Sequence, residues 1–356
     1  MFIKGLAHVE LYVGNAYQAA HFYRTSFGFL PTAYAGMETG ERDYISFVLE
    51  QGEIRLVLTS ATSSESQIAE HVKQHGDSVK DVAFVVDDAA QAFDVAVKRG
   101  ATPVMEPSAH EDRDGRLIKA TIATCGDTVH SFIQRDDSRR AFFPQYRPVT
   151  KIQSALPTGL EVIDHIAISV EKGALDQWID FYIKVLGFHK SHQEDILTEY
   201  SAMNSKVVQN DNGSVKFPLM EPATGLRKSQ IEEYLEFNHG PGAQHIAFVS
   251  RNIVETTRLL RKNNIEFLHI PETYYQAIGG RIGKIDEGIN SLRELNILAD
   301  RDQWGYLLQI FSKPLQGRPT LFIEIIQRVG ARGFGGGNIR ELFEAVEREQ
   351  AVRGNL

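Results

Sequence analysis

The chain has only one cysteine, Cys125, among its 356 residues. A single cysteine cannot form an intrachain disulfide, and it excludes zinc or iron–sulfur sites that need several thiolates. Blocks of Lys and Arg are also missing, and 38 basic against 46 acidic residues give a net charge of −8. This balance argues against binding to nucleic acid or to an anionic membrane surface.

Long apolar runs are absent as well. The runs that occur are of strand length, well below the roughly 18 residues that a membrane-spanning helix needs. The segment from Met1 to His8 lacks the basic and then long apolar layout of a signal peptide. Hydrophobic residues nevertheless make up 42% of the chain, which is enough for a large buried core. We therefore expect a cytoplasmic globular protein.

An internal repeat is the most informative feature of the chain. Residues 6–13 alternate like a strand and precede a helical stretch, and the same arrangement recurs from residue 163 at an offset of 157 to 159 residues. Two further pairs follow in the same order: residues 80–86 with 244–250, and 131–135 with 324–328. The repeat predicts an α+β fold of two tandem domains, each with two βαβββ modules that form an open barrel. The predicted bounds are 1–136, a linker at 137–159, and 160–356.

The C-terminal segment predicts a helix that covers a cleft. Apolar residues follow helical spacing within residues 338–349, at Ile339, Leu342, Phe343 and Val346. Four glycines precede or open this helix and predict a hinge for its movement: Gly333, Gly335, Gly336 and Gly337.

Comparison of the halves predicts a metal site. His165, His245 and Glu324 are separated by 80 and 79 residues, and each lies in a strand-like run. Two imidazoles and one carboxylate form the facial triad of non-haem Fe(II) sites, which leaves positions open for substrate and oxygen. Their counterparts in the first half are His8, Asp81 and Ser131, a set that predicts a cleft without metal. We expect eight further histidines to be surface or structural residues: His71, His75, His110, His130, His189, His192, His239 and His269.

Longer motifs in the second half carry a family resemblance. They include residues 201–205 (SAMNS), 228–231 (KSQI), 244–247 (QHIA), 298–302 (LADRD), 308–311 (LQIF), 318–328 (RPTLFIEIIQR) and 333–335 (GFG). With them the chain resembles the 4-hydroxyphenylpyruvate dioxygenase and 4-hydroxymandelate synthase family of the vicinal oxygen chelate superfamily. The resemblance implies an enzyme that holds Fe(II) on the triad, uses O2 as co-substrate and oxidises an arylpyruvate whose own keto acid binds the iron. It also implies a homo-oligomer.

The same resemblance implies the substrate pocket. Polar pocket positions are matched by Ser201, Gln230, Gln244 and Gln309, whose hydroxyl and amides suit a phenol and a carboxylate. The aromatic wall is matched by Phe311, Phe322 and Phe334. Asn338 belongs to the segment that closes the pocket.

Four pocket positions bear on the product. Met220 and Ile339 replace the Asn and Phe of the homogentisate-forming dioxygenases and resemble the mandelate-forming branch. Pro218 and Phe343 instead resemble the dioxygenase branch. We expect 4-hydroxymandelate as the product, with homogentisate, the product of tyrosine catabolism, as the alternative.

The same fold could serve three other functions. An extradiol catechol dioxygenase would need an acid–base His and Tyr near the metal, and the sequence offers no matching pair. A glyoxalase-like isomerase would need carboxylates from both halves, whereas Ser131 stands at the first-half position. A non-enzymatic binding protein would leave Glu324 buried without a partner.

Overall fold

The computed structural model describes residues 3–112, 115–135, 142–149 and 156–355. The first half contains, in chain order, β1 (Ile3–Tyr12), α1 (Ala16–Phe27), β2 (Leu30–Ala35), β3 (Tyr44–Gln51), β4 (Ile54–Ala61), α2 (Gln67–His75), β5 (Ser78–Val86), α3 (Ala89–Lys98), β6 (Pro103–Asp112), β7 (Gly115–Ala123), β8 (Val129–Arg135) and β9 (Arg147–Pro148).

The second half repeats this order with three extra helices. It contains β10 (Leu160–Ser169), α4 (Leu175–Lys184), β11 (His189–Leu197), β12 (Ala202–Gln209), β13 (Lys216–Pro222), α5 (Gln230–Phe237), β14 (Gly242–Ser250), α6 (Ile253–Lys262), α7 (Glu272–Ile282), α8 (Ile289–Leu295), β15 (Leu298–Arg301), β16 (Tyr306–Phe311), β17 (Phe322–Val329) and α9 (Gly336–Arg353).

Each half forms one curled sheet in which two modules meet along their first strands. The strand order is β6-β7-β8-β5-β1-β4-β3-β2-β9 in the first half and β11-β12-β13-β10-β14-β17-β16-β15 in the second. The antiparallel pairs β1–β5 and β10–β14 therefore join the modules at the centre of each sheet. The predicted α+β fold of paired βαβββ modules is confirmed.

Local signals explain where the helices begin. Asn15, Ser66, Asp88, Ser229 and Asn252 each stand at a helix N-cap, and each side chain accepts a hydrogen bond from the backbone N–H three residues later. Such caps satisfy N–H groups that have no partner inside the helix.

The two halves share one apolar core. Its aromatic contacts cross between them, with ring centroids 5.8 Å apart for Phe29 and Phe248 and 6.2 Å apart for Phe84 and Phe217. The domain bounds proposed from the sequence stay a prediction, although β9 lies inside the predicted linker and pairs with β2. None of the helices that the structure describes has the length and apolarity to span a bilayer.

Candidate metal centre and pocket

The register of three neighbouring strands brings the predicted metal ligands together. Ala247 on β14 pairs with His165 on the antiparallel β10 and with Glu324 on the parallel β17. His245 lies two residues before Ala247, and side chains two apart on a strand share one face. The ligands therefore meet on one side of the sheet, where the module junction lies.

The donor atoms lie close together in a fully buried setting. Nε2 of His165 is 3.1 Å from Oε2 of Glu324, and Nε2 of His245 is 3.5 Å from the same oxygen. All three side chains are buried, and their ligand atoms lie within 4.8 Å of one another.

Neighbouring groups orient both imidazoles. Nδ1 of His165 donates to Oδ2 of Asp164 at 2.8 Å, and Arg328 in turn donates from Nε and Nη2 to the two Asp164 oxygens, both at 2.9 Å. Nδ1 of His245 donates to Oε1 of Gln244 at 3.2 Å. Each histidine therefore directs Nε2 toward the centre, as outer partners of metal-bound histidines do.

Burial and the neighbouring charges shift the pKa values of the three predicted ligands. Burial lowers the pKa of His245 to about 3, which keeps its Nε2 lone pair free. Burial also acts to lower the pKa of His165, but the Glu324 and Asp164 carboxylates outweigh it and raise that pKa. For Glu324 burial acts in the opposite sense, and His165 leads the contacts that lower its pKa below the usual value.

The donor set fits a divalent iron ion. Two imidazoles with oriented Nε2 atoms and one buried carboxylate form a triad that holds non-haem Fe(II). In addition, Nε2 of Gln309 donates to Oε1 of Glu324 at 2.9 Å, which leaves Oε2 to face both histidines. Among the described residues, the structure thus assembles all three ligands predicted from the repeat.

The corresponding place in the first half holds a lysine. Nζ of Lys119 lies 3.1 Å from Oδ2 of Asp81, and the Ser131 hydroxyl donates to the same oxygen. Burial opposes the charge of Lys119, but Asp81 and Glu10 raise its pKa. His8 completes the set, and burial lowers its pKa to about 3. An ammonium therefore balances Asp81, which stands where the second half has His245.

A pocket opens directly from the triad. We call it the catalytic pocket, and its lining is His165, His192, Met203, Ser205, Val207, Pro218, Met220, Gln230, Gln244, His245, Gln309, Phe311, Glu324, Phe334, Ile339 and Leu342. Apart from Glu324 and the histidines, every lining side chain is neutral. Such a site suits an aromatic ligand held by a few polar groups.

Five of the residues predicted to bind substrate line this pocket. They are Gln230, Gln244, Gln309, Phe311 and Phe334. Two of the amides already have partners, since Gln244 accepts from His245, and Gln309 donates to Glu324 and accepts from Nδ2 of Asn338 at 2.8 Å. Both amides therefore lie against the predicted metal ligands.

Three predicted pocket residues lie outside the lining. Ser201 precedes β12, and its hydroxyl donates to the Glu347 carboxylate on α9 instead of facing the pocket. Phe322 stacks on His245 at a centroid distance of 4.8 Å and supports that ring from behind. Asn338 is fully buried between Gln309 and Tyr274, whose hydroxyl donates to it at 2.9 Å.

Three of the four residues expected to decide the product line the pocket. They are Pro218, Met220 and Ile339. Phe343 is fully buried just behind them, in an apolar cluster that includes Met220 and Ile339. Their proximity makes this wall of the pocket apolar throughout.

Strand β12 supplies pocket residues that the sequence analysis missed. Met203, Ser205 and Val207 alternate along it and therefore point to one face. His192 on β11 also lines the pocket, with its ring centroid 6.1 Å from that of Phe334, although it was expected to be a surface or structural histidine. The alternation of residues 203, 205 and 207 was the available signal.

The C-terminal helix closes over the pocket and is longer than predicted. It spans Gly336–Arg353 instead of 338–349: Oδ2 of Asp300 accepts from the Gly337 N–H at its start, and Arg353 at its end pairs with the Glu233 carboxylate. Gly335 has a left-handed φ of +73°, and a Cβ on Gly336 would lie 1.8 Å from Oε1 of Glu194. These glycines therefore allow close packing in the closed position; their hinge role stays a prediction.

Comparisons with known proteins agree with this site. The sequence model of the glyoxalase/bleomycin resistance protein/dioxygenase superfamily matches residues 5–138 and 162–310 of this chain. The chain is 44% identical to the 4-hydroxyphenylpyruvate dioxygenase of Yarrowia lipolytica, over 99% of this chain and 94% of that protein. It is 42% identical to the 4-hydroxyphenylpyruvate dioxygenase of Dictyostelium discoideum, over 99% of this chain and 100% of that protein. The structure of a triple mutant of 4-hydroxymandelate synthase from Streptomyces coelicolor superposes on this chain with a TM-score of 0.90 and 37% sequence identity. The superposition covers 98% of this chain and 100% of that protein.

Proposed function

The chain belongs to the glyoxalase/bleomycin resistance protein/dioxygenase superfamily and, within it, to the family of 4-hydroxyphenylpyruvate dioxygenases and 4-hydroxymandelate synthases. It is a non-haem iron oxygenase that acts on 4-hydroxyphenylpyruvate. From this premise we propose that it converts 4-hydroxyphenylpyruvate and O2 to homogentisate and CO2. Identities of 42–44% to dioxygenases along the whole chain support this product over 4-hydroxymandelate, which the two pocket substitutions had favoured.

The observation that carries the proposal is the meeting of His165, His245 and Glu324 at one end of an aromatic-lined pocket. These three residues would hold Fe(II). The chemistry that this ion supplies when bound is the redox capacity for O2 activation beside a chelating keto acid.

The protein's own part begins with holding the ligands. Asp164 and Gln244 fix the two imidazoles through Nδ1, and Gln309 fixes the Glu324 carboxylate. Metal-site groups held in this way need little rearrangement when the substrate arrives, and such preorganisation lowers the barrier.

The rest of the pocket orients the aromatic ring. Phe311 and Phe334 offer ring faces beside the triad, while the Gln230 amide and the Ser205 hydroxyl offer neutral polar groups to a phenol or a carboxylate. Neutral donors bind these groups without adding charge to a buried site, where unpaired charge is costly.

Helix α9 keeps water out. Phe334 is buried with its ring centroid 5.2 Å from that of His165, and Leu342 and Ile339 follow it along the closing segment. Exclusion of water protects reactive species in the site and strengthens the polar contacts inside it.

A second candidate product is 4-hydroxymandelate, and one observation favours it. Met220 and Ile339 line the pocket within an apolar cluster that also holds Ile196, Met203 and Phe343. This wall offers the ring neither an amide anchor nor an aromatic wedge, so the benzylic carbon can come closer to the reacting centre.

The two products are isomers, so mass alone does not distinguish them. The iron-loaded protein should be incubated with 4-hydroxyphenylpyruvate, and its products separated by chromatography against both standards while O2 uptake and CO2 release are recorded. We expect homogentisate as the main product with equal O2 uptake and CO2 release. A main peak of 4-hydroxymandelate would select the second candidate, and no O2 uptake with any arylpyruvate would overturn the enzyme assignment. The homo-oligomer stays a prediction.

A further inference from the structure

A second cluster of metal-binding side chains lies in the first half, away from the catalytic pocket. His71 and His75 stand four residues apart on α2, so both imidazoles lie on one face of the helix. Asp127, in the turn before β8, approaches them from the side. The three ligand atoms lie within 4.8 Å of one another.

Two distances within the cluster are close to those of a coordination shell. Oδ2 of Asp127 is 3.0 Å from Nδ1 of His71 and 3.4 Å from Nε2 of His75. Ligand atoms of a tetrahedral zinc ion, with bonds of about 2.0–2.1 Å, are separated by about 3.3–3.4 Å.

The hydrogen bonds of His75 point to a missing partner. Its Nδ1 must donate to the backbone carbonyl of Asn238, because a carbonyl oxygen only accepts. Its Nε2 is buried and has no hydrogen-bond partner among the described residues, although it faces the Asp127 carboxylate. In a neutral imidazole this places a lone pair against an anionic oxygen, an arrangement that a cation between them would stabilise.

His71 has a similar outer partner. Its Nε2 lies 2.8 Å from the Ser78 hydroxyl, which can accept the N–H and leave Nδ1 to face Asp127. Metal-bound histidines commonly donate their other ring N–H to a protein acceptor in this way. The carbonyl contact therefore fixes the tautomer of His75 that a metal needs, and the hydroxyl contact of His71 is compatible with the same tautomer, in place of the hydrogen bond that its Nδ1 can otherwise donate to Oδ2 of Asp127.

The carboxylate is also arranged for coordination. Lys80 lies 3.7 Å from Oδ1 of Asp127 and donates to its backbone carbonyl, so this cation approaches the oxygen that faces away from the histidines. The side chain of Asp127 is 52% exposed, and water can reach the cluster from that side as a fourth ligand. The histidines themselves are only 4% and 5% exposed.

We propose that His71, His75 and Asp127 bind a divalent transition metal, with Zn²⁺ as the ion that best suits two imidazoles, one carboxylate and a water. The site lies outside the first-half cleft, in which Lys119 stands beside Asp81. Because His75 donates to Asn238, the residue that ends α5, the bound ion would also fasten the first half to the catalytic half.

The test counts metal ions in chelator-stripped full-length protein. Equilibrium dialysis against Zn²⁺ should give two ions per wild-type chain, one in Glu324→Ala and one in Asp127→Asn, with none in the double variant. Asn at position 127 can donate its amide N–H to Nε2 of His75, so this variant keeps the fold while losing the anionic ligand. Glu70→Gln is the matched control, since Glu70 lies on the same helix but pairs with Lys73, and it should keep two ions.

A second readout does not depend on the catalytic site. In the Glu324→Ala background, saturating Zn²⁺ should raise the melting temperature by about 5 °C, and the added Asp127→Asn change should abolish that rise. Co²⁺ in the same background should show the intense visible absorption of tetrahedral coordination. Asp127→Asn binding as many ions as wild type, or Glu324→Ala binding none, would overturn the proposal.

Discussion

Gln309 connects the metal centre to the closing helix through the two ends of one amide. Its Nε2 donates to Oε1 of Glu324 at 2.9 Å, and its Oε1 accepts from Nδ2 of Asn338 at 2.8 Å. Tyr274 then donates to Oδ1 of Asn338. The ligand carboxylate and the start of α9 therefore share one chain of hydrogen bonds, so that the position of the helix and the orientation of Glu324 are coupled.

The first prediction concerns this link. Gln309→Leu keeps the volume but removes the hydrogen bonds to Glu324, Phe334 and Asn338. We expect iron affinity or turnover to fall by about 10–100-fold, the usual effect of losing an outer partner. Iron titration and kcat should be measured together. The exposed Gln91 on α3 provides a control as Gln91→Leu, and equal results for the two variants would show that Gln309 is only a packing residue.

The second prediction concerns the ligand itself. Glu324→Ala removes the only carboxylate of the triad and should lower both iron content and turnover by at least about a hundredfold. Ser131→Ala, at the corresponding position of the first half, should retain the iron and most of the activity. Iron content near that of wild type in Glu324→Ala would contradict the ligand assignment.

The triad could be predicted because the internal repeat allows the two halves to be aligned, and the alignment singles out three residues that are far apart in the sequence. His165, His245 and Glu324 lie at matching places in two modules, and the strand register then brings them to one face. Ser201 could not be placed in this way, because it lies one residue before β12 begins, and its direction depends on the Glu347 contact. The alternation of residues 203, 205 and 207 indicates that they share one face of β12, but only the folded chain shows that this face lines the pocket.

Other features depend on contacts between distant segments. His71 and His75 have helical spacing in the sequence, but their shared carboxylate comes from Asp127, 52 residues after His75, and the acceptor for His75 from Asn238 in the other half. The lengthened α9 likewise depends on Asp300, which accepts from its first turn. Local patterns carry little information about such partners.

The third prediction is a loss of stability in acid. Burial lowers the pKa of His130 to about 4, and its ring contacts the Val82 carbonyl and the Tyr182 hydroxyl, both at 3.0 Å. The unfolded chain takes up this proton below pH 6.5 while the folded chain stays neutral. The contribution of His130 to the free energy of unfolding is therefore complete above pH 6.5. It is lost at about 1.4 kcal/mol per pH unit as the pH falls from 6.5 toward 4.

Urea unfolding of the wild type and His130→Gln at several pH values in this range measures the effect. The free energy of unfolding of His130→Gln should depend less steeply on pH than that of the wild type. The difference in slope should correspond to up to one proton taken up on unfolding. His269→Gln, which changes an exposed histidine, should match the wild type. Parallel curves for wild type and His130→Gln would assign the acid sensitivity to other groups.

The fourth prediction concerns the contact that holds α9 closed. The hydroxyls of Thr198 and Ser201 both donate to Oε1 of the buried Glu347. Glu347→Ala leaves two buried donors without their acceptor, at a cost of about 1–3 kcal/mol. We expect faster proteolysis within α9 and a higher KM, with iron content unchanged.

The control for this variant is Glu344→Ala. Glu344 lies one turn earlier on α9 and pairs only at the surface with Arg340, a contact of small energy. If Glu347→Ala is as resistant to protease and binds substrate as tightly as this control, the carboxylate does not hold the helix.

The last prediction concerns how two pocket side chains set the ratio of 4-hydroxymandelate to homogentisate. Met220 and Ile339 lie in one apolar cluster on the same wall, where an amide could anchor the ring and a larger aromatic residue could wedge it. Since a displacement near 1 Å can change a rate by about a hundredfold, this wall should allow a minor 4-hydroxymandelate product beside homogentisate. Met220→Asn with Ile339→Phe should lower the 4-hydroxymandelate fraction by at least about tenfold. Leu342→Met, a volume-conserving change in another lining residue, should leave the fraction unchanged. Chromatography of both isomers from each variant decides the point, and an unaltered ratio in the double variant would assign the choice of carbon to other residues of the pocket.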